Sequence, residues 1–283
     1  MTTIARAIQM VCERLEKAGI ENTRFEARLL VCHVLGVETQ ILIGYPERDI
    51  SQDDMDRLET LLKRREGREP MSHILGEREF WSLPFKVTKD TLTPRPDSET
   101  LIEAVLHHIP DMMRNLRVLD LGTGTGCLLL SVLSEYQQAS GLGVDISPAA
   151  LEVAKENARN LGLESRSDFR LGDWGAGISE KFDLILSNPP YIALSDKEIL
   201  APEVVQFEPY SALFAGPDGL DDYRKLALAL VDVLHEDGLA VLEIGINQGD
   251  AVSELMEKVG FCVLERPKDL AGIERCVIIR KKL

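Results

Sequence analysis

Short apolar segments that alternate with helical patterns constrain the fold of this chain more than any other feature. Seven such segments follow residue 98, and they predict strands near residues 118–121, 141–145, 168–171, 182–187, 238–243, 261–264 and 275–280. Strands and helices that alternate in this way form a mainly parallel sheet with helices on both faces, which predicts an α/β fold. Ligands of such sheets bind outside the carboxyl ends of the strands, so polar residues at those ends are candidate site residues.

Residues 1–76 have the apolar periodicity of short helices instead. One helix is predicted to end before Gly36, because glycine commonly follows the last helical turn. Ser51 with Asp54 predicts a capping box at the start of another. Short helices joined by short loops predict a small bundle. Beyond the bundle, strand-like segments on either side of Ser82-Leu83-Pro84 predict a hairpin linker.

A glycine loop follows the first predicted strand of the sheet. Its sequence is Gly122-Thr123-Gly124-Thr125-Gly126, and an apolar helical segment comes directly after it. Glycines let the backbone approach a ligand at the N-terminus of a helix. A dinucleotide fingerprint needs its third glycine at position 127, which is Cys127 in this chain. The spacing therefore departs from the dehydrogenase pattern and suits the loop of enzymes that use S-adenosylmethionine (SAM).

Acidic and aromatic residues follow the next two predicted strands. Asp145 ends a strand about 20 residues beyond the glycine loop, where a carboxylate can accept hydrogen bonds from both hydroxyls of a ribose. Asp173 and Trp174 follow the third strand. A lone tryptophan is more often a core residue than a ligand contact. The position of Trp174 beyond a strand end favours a contact in which the indole covers an adenine ring and either Asp173 or the backbone meets its amino group.

The tetrapeptide Asn188-Pro189-Pro190-Tyr191 follows the apolar segment at 182–187. It predicts a site that methylates a planar nitrogen. The lone pair of an amide or aromatic amino nitrogen is delocalised, so such a group needs hydrogen-bond acceptors rather than a base. The Asn188 side-chain oxygen and a main-chain carbonyl of the turn can each accept one N–H, which aims the lone pair at a methyl donor. The prolines hold the carbonyls in one direction, and Tyr191 can stack on the flat group. The alternative is an ordinary strand-ending turn.

With these motifs, the sequence resembles the peptide chain release factor N(5)-glutamine methyltransferases of the PrmC/HemK type over nearly its whole length. The methyltransferase motifs are shared with many enzymes, whereas the Pro-Arg-Pro, Glu-Pro and Asp-Gly-Leu segments are more particular to this family. The chain departs from the family pattern at Asp97-Ser98, where Glu-Thr is usual, and at Ala215-Gly216, where Gly-Gly is frequent. The resemblance is carried by Arg68-Glu69-Pro70, Phe80-Trp81, Thr93-Pro94-Arg95-Pro96, Asp120-Leu121-Gly122-Thr123-Gly124, Asn188-Pro189-Pro190-Tyr191, Phe207-Glu208-Pro209, Asp218-Gly219-Leu220-Asp221-Asp222-Tyr223-Arg224, Leu242-Glu243-Ile244-Gly245 and Asp269-Leu270-Ala271-Gly272.

The resemblance implies a seven-stranded Rossmann-like SAM-dependent methyltransferase domain at residues 97–283. It also implies a hairpin linker at 77–96 and an N-terminal helical domain at 1–76 that docks the substrate. The implied activity is methylation of the side-chain amide nitrogen of the glutamine in the Gly-Gly-Gln motif of class I peptide chain release factors, which would be the partner proteins. The roles of Arg95 and Glu243 stay open. The implied cofactor contacts are Gly122, Thr123, Gly124, Thr125, Gly126, Asp145, Asp173, Trp174 and Asn188, and the implied catalytic residues are Asn188, Pro189, Pro190 and Tyr191.

The formal net charge of −15 bears on the class of substrate. A protein that binds duplex DNA normally carries a basic surface that neutralises phosphates. The basic run Lys63-Arg64-Arg65, with Arg68, is predicted to be the solvated last turn of a helix, where cations are favourable. We therefore expect no stable nucleic-acid binding. The alternatives are an adenine N(6) methyltransferase acting on nucleic acid, whose target nitrogen is also conjugated, and a SAM-binding protein without catalysis.

The cysteines and histidines predict neither a disulfide framework nor a metal site. The five cysteines are odd in number and widely separated, and none forms a Cys-x-x-Cys pair. The five histidines lack metal-ligand spacing, and the adjacent His107 and His108 are predicted to point in different directions on a helix. No apolar run approaches the roughly 18 residues of a membrane span, and the first residues lack the apolar core of a signal peptide. We expect a cytoplasmic protein without membrane contact.

Overall fold

The computed structural model describes residues 2–282, which form two compact units. The first unit contains the chain up to Gly76 together with Ala201–Phe207, and the second contains Glu77–Leu200 and the chain from Glu208 onward. The helices are α1 Ile4–Lys17, α2 Thr23–Leu35, α3 Thr39–Gly44, α4 Gln52–Glu66, α5 Met71–Leu75, α6 Glu99–His108, α7 Cys127–Glu135, α8 Pro148–Asn160, α9 Pro202–Phe207, α10 Asp221–Val233 and α11 Gly249–Lys258. The strands are β1 Thr2–Thr3, β2 Asp49–Ile50, β3 Glu77–Phe80, β4 Leu83–Lys86, β5 Arg117–Leu121, β6 Ser140–Asp145, β7 Ser167–Leu171, β8 Phe182–Ser187, β9 Leu234–Glu243, β10 Phe261–Glu265 and β11 Cys276–Lys281.

The second unit is built on a seven-stranded sheet with the strand order β10-β11-β9-β8-β5-β6-β7. The pairs from β9 to β7 are parallel, whereas β11 runs antiparallel to both of its neighbours. The predicted seven-stranded, mainly parallel sheet is confirmed. Strand β9 begins at Leu234, four residues earlier than its predicted start, because Leu234 pairs with Phe182 across a register shift.

Both faces of this sheet are covered, as the alternation of strands and helices predicts. Alternate residues of β11 belong to opposite core clusters: Cys276 and Ile278 to one, and Val277 and Ile279 to the other. The first cluster includes buried side chains of α6 and α7, and the second includes those of α10 and α11. This layering leaves the carboxyl ends of the parallel strands as the edge where loops can build a site.

The predicted hairpin is present, but its turn lies earlier than expected. Residues Trp81 and Ser82 form the turn with φ of 52° and 57°, and Phe80 pairs with Leu83 across it. The expectation that Leu83 and Pro84 belong to the turn is wrong. A two-residue turn with positive φ matches the twist of the flanking strands. Pro84 fits within β4 because the pair next to the one that closes such a turn needs no N–H donor.

The first unit is a small helical bundle, as predicted. Helices α1, α2 and α4 share one core, which includes Leu15, Leu30 and Leu62. The start of α4 has the predicted cap, since the Ser51 hydroxyl accepts from the backbone N–H of Asp54 at 3.1 Å. The bundle therefore has a hydrophobic core of its own.

The basic cluster lies in the last turn of α4, as predicted, and Lys63 and Arg64 are exposed there, but Arg65 is not solvated. Arg65 is buried and pairs with Glu26 at 2.7 Å, and Arg64 pairs with Glu69 at 2.6 Å. Helix α9 belongs to this unit, and its Glu203 accepts from both Arg65, at 3.3 Å, and Arg68, at 3.1 Å. Acidic side chains therefore pair with three of the basic residues, and two of these partners, Glu26 and Glu203, are remote in the sequence. Among the residues from 2 to 282, no helix is both long and apolar enough to cross a membrane.

Candidate active site

A cleft of about 560 Å³ lies in the second unit at the carboxyl ends of the parallel strands. Its volume is within the range of about 300–1,000 Å³ that is typical of small-molecule sites. Three of the predicted site residues, Gly126, Pro189 and Tyr191, do not line this cleft. Those that line it are Gly122, Thr123, Gly124, Thr125, Asp145, Asp173, Trp174, Asn188 and Pro190.

The glycine loop connects β5 to α7 and needs glycine at two positions for different reasons. At Gly122, φ is 75° and an added Cβ would lie 3.4 Å from the ring of Trp174. At Gly124, φ is 54° and an added Cβ would meet nothing within 4 Å, so this backbone faces open space. The loop therefore offers bare backbone to the cleft at the N-terminus of α7, which is the arrangement that suits a negatively charged or polar ligand end.

Asp145 at the end of β6 holds the glycine loop in place. Its Oδ2 accepts from the backbone N–H of Gly124 at 2.8 Å, and its Oδ1 accepts from that of Ser147 at 2.9 Å. A carboxylate has about four acceptor positions, so each oxygen retains one for a ligand hydroxyl. Asp145 therefore combines a structural contact with an acceptor that faces the cleft.

Trp174 lies against the glycine loop beyond β7. The residue has a φ of 51°, an uncommon conformation for a bulky side chain, and it packs against the core cluster of α10 and α11. Asp173 next to it is exposed and also lines the cleft. An apolar ring face beside a carboxylate is suited to a flat aromatic group that carries an amino substituent.

The turn after β8 places an unpaired acceptor at the cleft. The Asn188 Nδ2 donates to the hydroxyl of Ser98 at 3.4 Å, whereas its Oδ1 is buried and has no hydrogen-bond partner among residues 2–282. A buried unpaired oxygen costs about 1–3 kcal/mol. Such an atom is ready to accept a hydrogen from an incoming N–H group.

Tyr191 holds the other end of this turn. Its hydroxyl donates to Glu243 Oε1 at 3.4 Å, and its main-chain oxygen accepts from Gln248 Nε2 at 2.9 Å. Gln248 in turn accepts from the backbone N–H of Gly245 at 2.9 Å. These bonds anchor the turn to the end of β9. The predicted stacking of Tyr191 on a substrate stays a prediction.

Comparison with known proteins decides the family. Residues 6–76 match the family model of the PrmC N-terminal domain, and residues 113–210 match that of a methyltransferase domain. The release factor glutamine methyltransferase of Rhodospirillum rubrum is 45% identical over 99% of this chain and 85% of its own length. That of Cereibacter sphaeroides is 44% identical over 98% of both chains. The chain belongs to the release factor glutamine methyltransferase family.

The solved structures show the fold of this family member independently. The hMettl16 catalytic domain, in complex with MAT2A 3′UTR hairpin 6, matches with a TM-score of 0.54 and 16% identity, over 81% of this chain and 82% of that chain. At this identity the match concerns the fold alone. It agrees with the parallel sheet described above.

Three polar residues near the cleft of this methyltransferase family member were not among the predicted site residues. Asp120 in β5 is fully buried, its Oδ2 accepts from the Thr123 hydroxyl at 2.6 Å, and burial raises its pKa to about 7. An acidic residue within an apolar strand is a signal that could have identified Asp120.

Arg95 binds both oxygens of Glu208, at 2.9 and 2.7 Å. Burial raises the pKa of Glu208, while Arg95 lowers it. This pair joins the Pro-Arg-Pro segment to the residues that follow Glu208 and line the cleft.

The histidines of this family member lie closer together than their spacing predicts. The ligand atoms of His107, His108 and Glu265 lie within 4.8 Å of one another, and His108 Nε2 is 3.1 Å from Glu265 Oε2. The expectation that the two histidines point apart is wrong, because α6 ends at His108 and the end of β10 approaches it. None of the three residues lines the cleft.

Proposed function

We propose that this chain transfers the methyl group of SAM to the side-chain amide nitrogen of a glutamine, that of the Gly-Gly-Gln motif in class I peptide chain release factors. The observation that carries the proposal is the buried, unpaired Oδ1 of Asn188 at the cleft. Membership of the release factor glutamine methyltransferase family supports the same substrate.

The cofactor fits the part of the cleft formed by the glycine loop. The open backbone at Gly124 leaves room for the methionine end, and the free acceptor positions of Asp145 suit the ribose hydroxyls. Trp174 would cover the adenine ring, and Asp173 would accept from its amino group. When bound, SAM supplies an electrophilic methyl carbon attached to a positively charged sulfur.

The residues of the turn after β8 would activate the amide nitrogen. Asn188 Oδ1 and the Pro189 carbonyl would accept its two hydrogens, so that the lone pair points along the line of attack. Tyr191 would pack on the amide plane. The new nitrogen–carbon bond forms as the carbon–sulfur bond breaks, and the alkylated nitrogen then loses one proton to solvent. No general base is needed, because the nitrogen becomes strongly acidic once it is alkylated.

The helical bundle would dock the release factor, with residues 77–96 as a hairpin linker and 97–283 as the catalytic part. Ile43 and Tyr45 are large apolar side chains of the first unit that are 65% and 63% exposed. If they contribute to docking, Ile43→Ser with Tyr45→Ser raises the KM for intact release factor and leaves that for a short Gly-Gly-Gln peptide unchanged. Leu228→Ser, at a side chain that is 66% exposed in the second unit, is the matched control. Equal KM values for intact release factor would contradict the docking role.

The nearest alternative, adenine N(6) methylation of nucleic acid, shares the chemistry of the tetrapeptide. The pairing of Arg65 with Glu26 and of Arg64 with Glu69 reduces the positive charge that the basic segment of the first unit offers to phosphates, although Lys63 stays exposed. We propose that the chain forms no stable complex with nucleic acid. Flipped bases also need a dedicated set of contacts.

One experiment separates the three functions. Isotopically labelled SAM is incubated with the protein and, in separate reactions, with a release factor or with DNA, and mass spectrometry locates the added methyl group. Methyl on the Gly-Gly-Gln glutamine supports the proposal, and a release factor with alanine in place of that glutamine is the control. Methyl on adenine would establish the nucleic-acid function. If the protein binds SAM but no labelled product forms, the result would support a SAM-binding protein without catalysis.

A further inference from the structure

Three side chains of the kind that bind metal ions meet at the end of α6, away from the cleft. His107 and His108 are the last two residues of this helix, and Glu265 is the last residue of β10. One ligand atom from each residue lies within 4.8 Å of the other two. None of these three residues lines the cleft, so the methylation site does not explain why they lie together.

A bulge in β10 turns Glu265 towards α6. Val263 pairs with Ile279 of β11, and Glu265 pairs with the next residue, Ile278, so one extra residue lies between the two pairs in β10. In a regular strand Glu265 would share a face with Val263, which packs against the core cluster of α10 and α11. The bulge places Glu265 opposite Ile278 instead, on the face of the sheet that α6 covers. The approach of the carboxylate to the histidines is therefore built into the strand.

The distances in the cluster are close to those of a metal site. His108 Nε2 is 3.1 Å from Glu265 Oε2, and the rings of His107 and His108 meet edge to face with their centroids 5.2 Å apart. Ligand atoms at about 2.0–2.2 Å from a tetrahedral zinc ion lie roughly 3.3–3.6 Å from one another. His107 and Glu265 are exposed. Small rotations of these exposed side chains are therefore sufficient to bring all three ligand atoms to this separation.

The ligand atoms select the class of cation. Two imidazoles and one carboxylate are the protein ligands of zinc sites that keep a fourth position open, whereas Ca²⁺ and Mg²⁺ prefer oxygen ligands alone. The last carbonyl groups of a helix carry partial negative charge, which favours a cation at the end of α6. Spacing in the sequence could not indicate this cluster, because Glu265 lies 157 residues beyond His108.

We propose that His107, His108 and Glu265 bind one divalent cation of the zinc type, with water in the fourth position. The cation would join the end of α6 to β10, which is the strand at the edge of the sheet. Ser98, just before the other end of α6, lines the cleft, and the 10 residues of the helix span about 15 Å. The metal site therefore stabilises the fold of the second unit and is independent of the proposed methyl transfer.

The test is isothermal titration calorimetry of the full-length protein with zinc chloride, after treatment with a chelator and its removal. The wild type should bind one Zn²⁺ per chain at this site. The variants His107→Ala, His108→Ala and Glu265→Gln should each weaken binding at least about tenfold, since even residues that only orient a metal ligand contribute roughly 10–100-fold to affinity. The matched control is His235→Ala, which removes an exposed histidine of β9 and should bind as the wild type does.

Two further measurements test the ligands and the structural role. Co²⁺ bound in place of Zn²⁺ should show the visible absorption of a four-coordinate ion with nitrogen and oxygen ligands. In urea unfolding monitored by circular dichroism, free Zn²⁺ at about 100 times its Kd should raise the ratio of folded to unfolded chain by up to roughly 100-fold. This increase should occur in the wild type and in His235→Ala, and it should be absent at the same Zn²⁺ concentration in the double variant His107→Ala with His108→Ala.

Four results would overturn the metal site. They are a wild type that binds no Zn²⁺, an affinity that Glu265→Gln and the histidine variants leave unchanged, a charge-transfer band that places Co²⁺ on a cysteine thiolate, and a urea midpoint that Zn²⁺ does not raise. SAM affinity should be the same in all variants, which verifies that each of them is folded. Because the cluster lies outside the cleft, failure of glutamine methylation would contradict the proposed function and leave the metal site standing.

Discussion

Replacing Asn188 by alanine should abolish turnover without weakening the fold. The side chain makes one long hydrogen bond, to Ser98 at 3.4 Å, while its Oδ1 is buried without a partner. Most buried polar side chains stabilise a protein through their bonds. Asn188 has the opposite character, because its one side-chain acceptor is left for a group that is not part of the chain.

The magnitude follows from these contacts. Removing the unpaired oxygen relieves about 1–3 kcal/mol. Losing a long hydrogen bond costs about 0.5 kcal/mol, the low end of the range for such bonds. The Asn188→Ala variant should therefore be more stable than the wild type by about 0.5–2.5 kcal/mol. Its kcat should fall on the order of 100–1,000-fold, as for the loss of one group that stabilises a transition state.

The assays are urea unfolding monitored by circular dichroism, and single-turnover methylation of release factor with saturating SAM. The matched control is Ser187→Ala, because Ser187 precedes Asn188, is fully buried and donates to the Leu121 main-chain oxygen at 2.7 Å. That satisfied bond should cost about 1 kcal/mol when it is lost. If Asn188→Ala were destabilised as much as Ser187→Ala, or kept its wild-type rate, the idea of a reserved acceptor would be refuted.

Three further predictions follow from the site. Asp145→Ala should weaken SAM binding on the order of 10–100-fold, since it removes charge-assisted bonds to the ligand and the contact that holds Gly124; calorimetry measures this, and an unchanged affinity would exclude Asp145 from the cofactor site. Arg95→Ala should leave buried Glu208 uncompensated and raise its pKa further, which lowers the urea midpoint at pH 8 more than at pH 5; an equal loss at both values would contradict this account. Glu243 has a folded pKa raised to about 7 from 4.5, so the folded state binds the proton more tightly and its stability falls as pH rises through this window. Glu243→Gln should flatten this part of the plot of unfolding free energy against pH. An unchanged slope between pH 5 and 7 would mean that other groups cause the pH dependence.

Local patterns in the sequence were sufficient for the fold class. The alternation of apolar segments and helices predicted a sheet with both faces covered, since each element shows its buried side in its own periodicity. The same patterns could not show that β11 runs antiparallel between β9 and β10, because an apolar segment carries no information on strand direction. They also misplaced the hairpin turn, since Trp81 and Ser82 are unusual residues for two positive φ angles.

The sequence by itself determined which chemistry-bearing residues stand at strand ends: the glycine loop, Asp145, Trp174 and Asn188. That was possible because parallel strands bring all their carboxyl ends to one edge of the sheet. Only the tertiary structure decided what lies behind those residues. Ser98 contacts Asn188, Tyr191 donates to Glu243, and α9 joins the first unit through Glu203, because strand order and helix packing set contacts between segments that are remote in the chain. Such contacts leave no periodic trace in the sequence, so an acceptor can be found from its position in a motif, whereas the residues that contact its side chain from remote segments cannot.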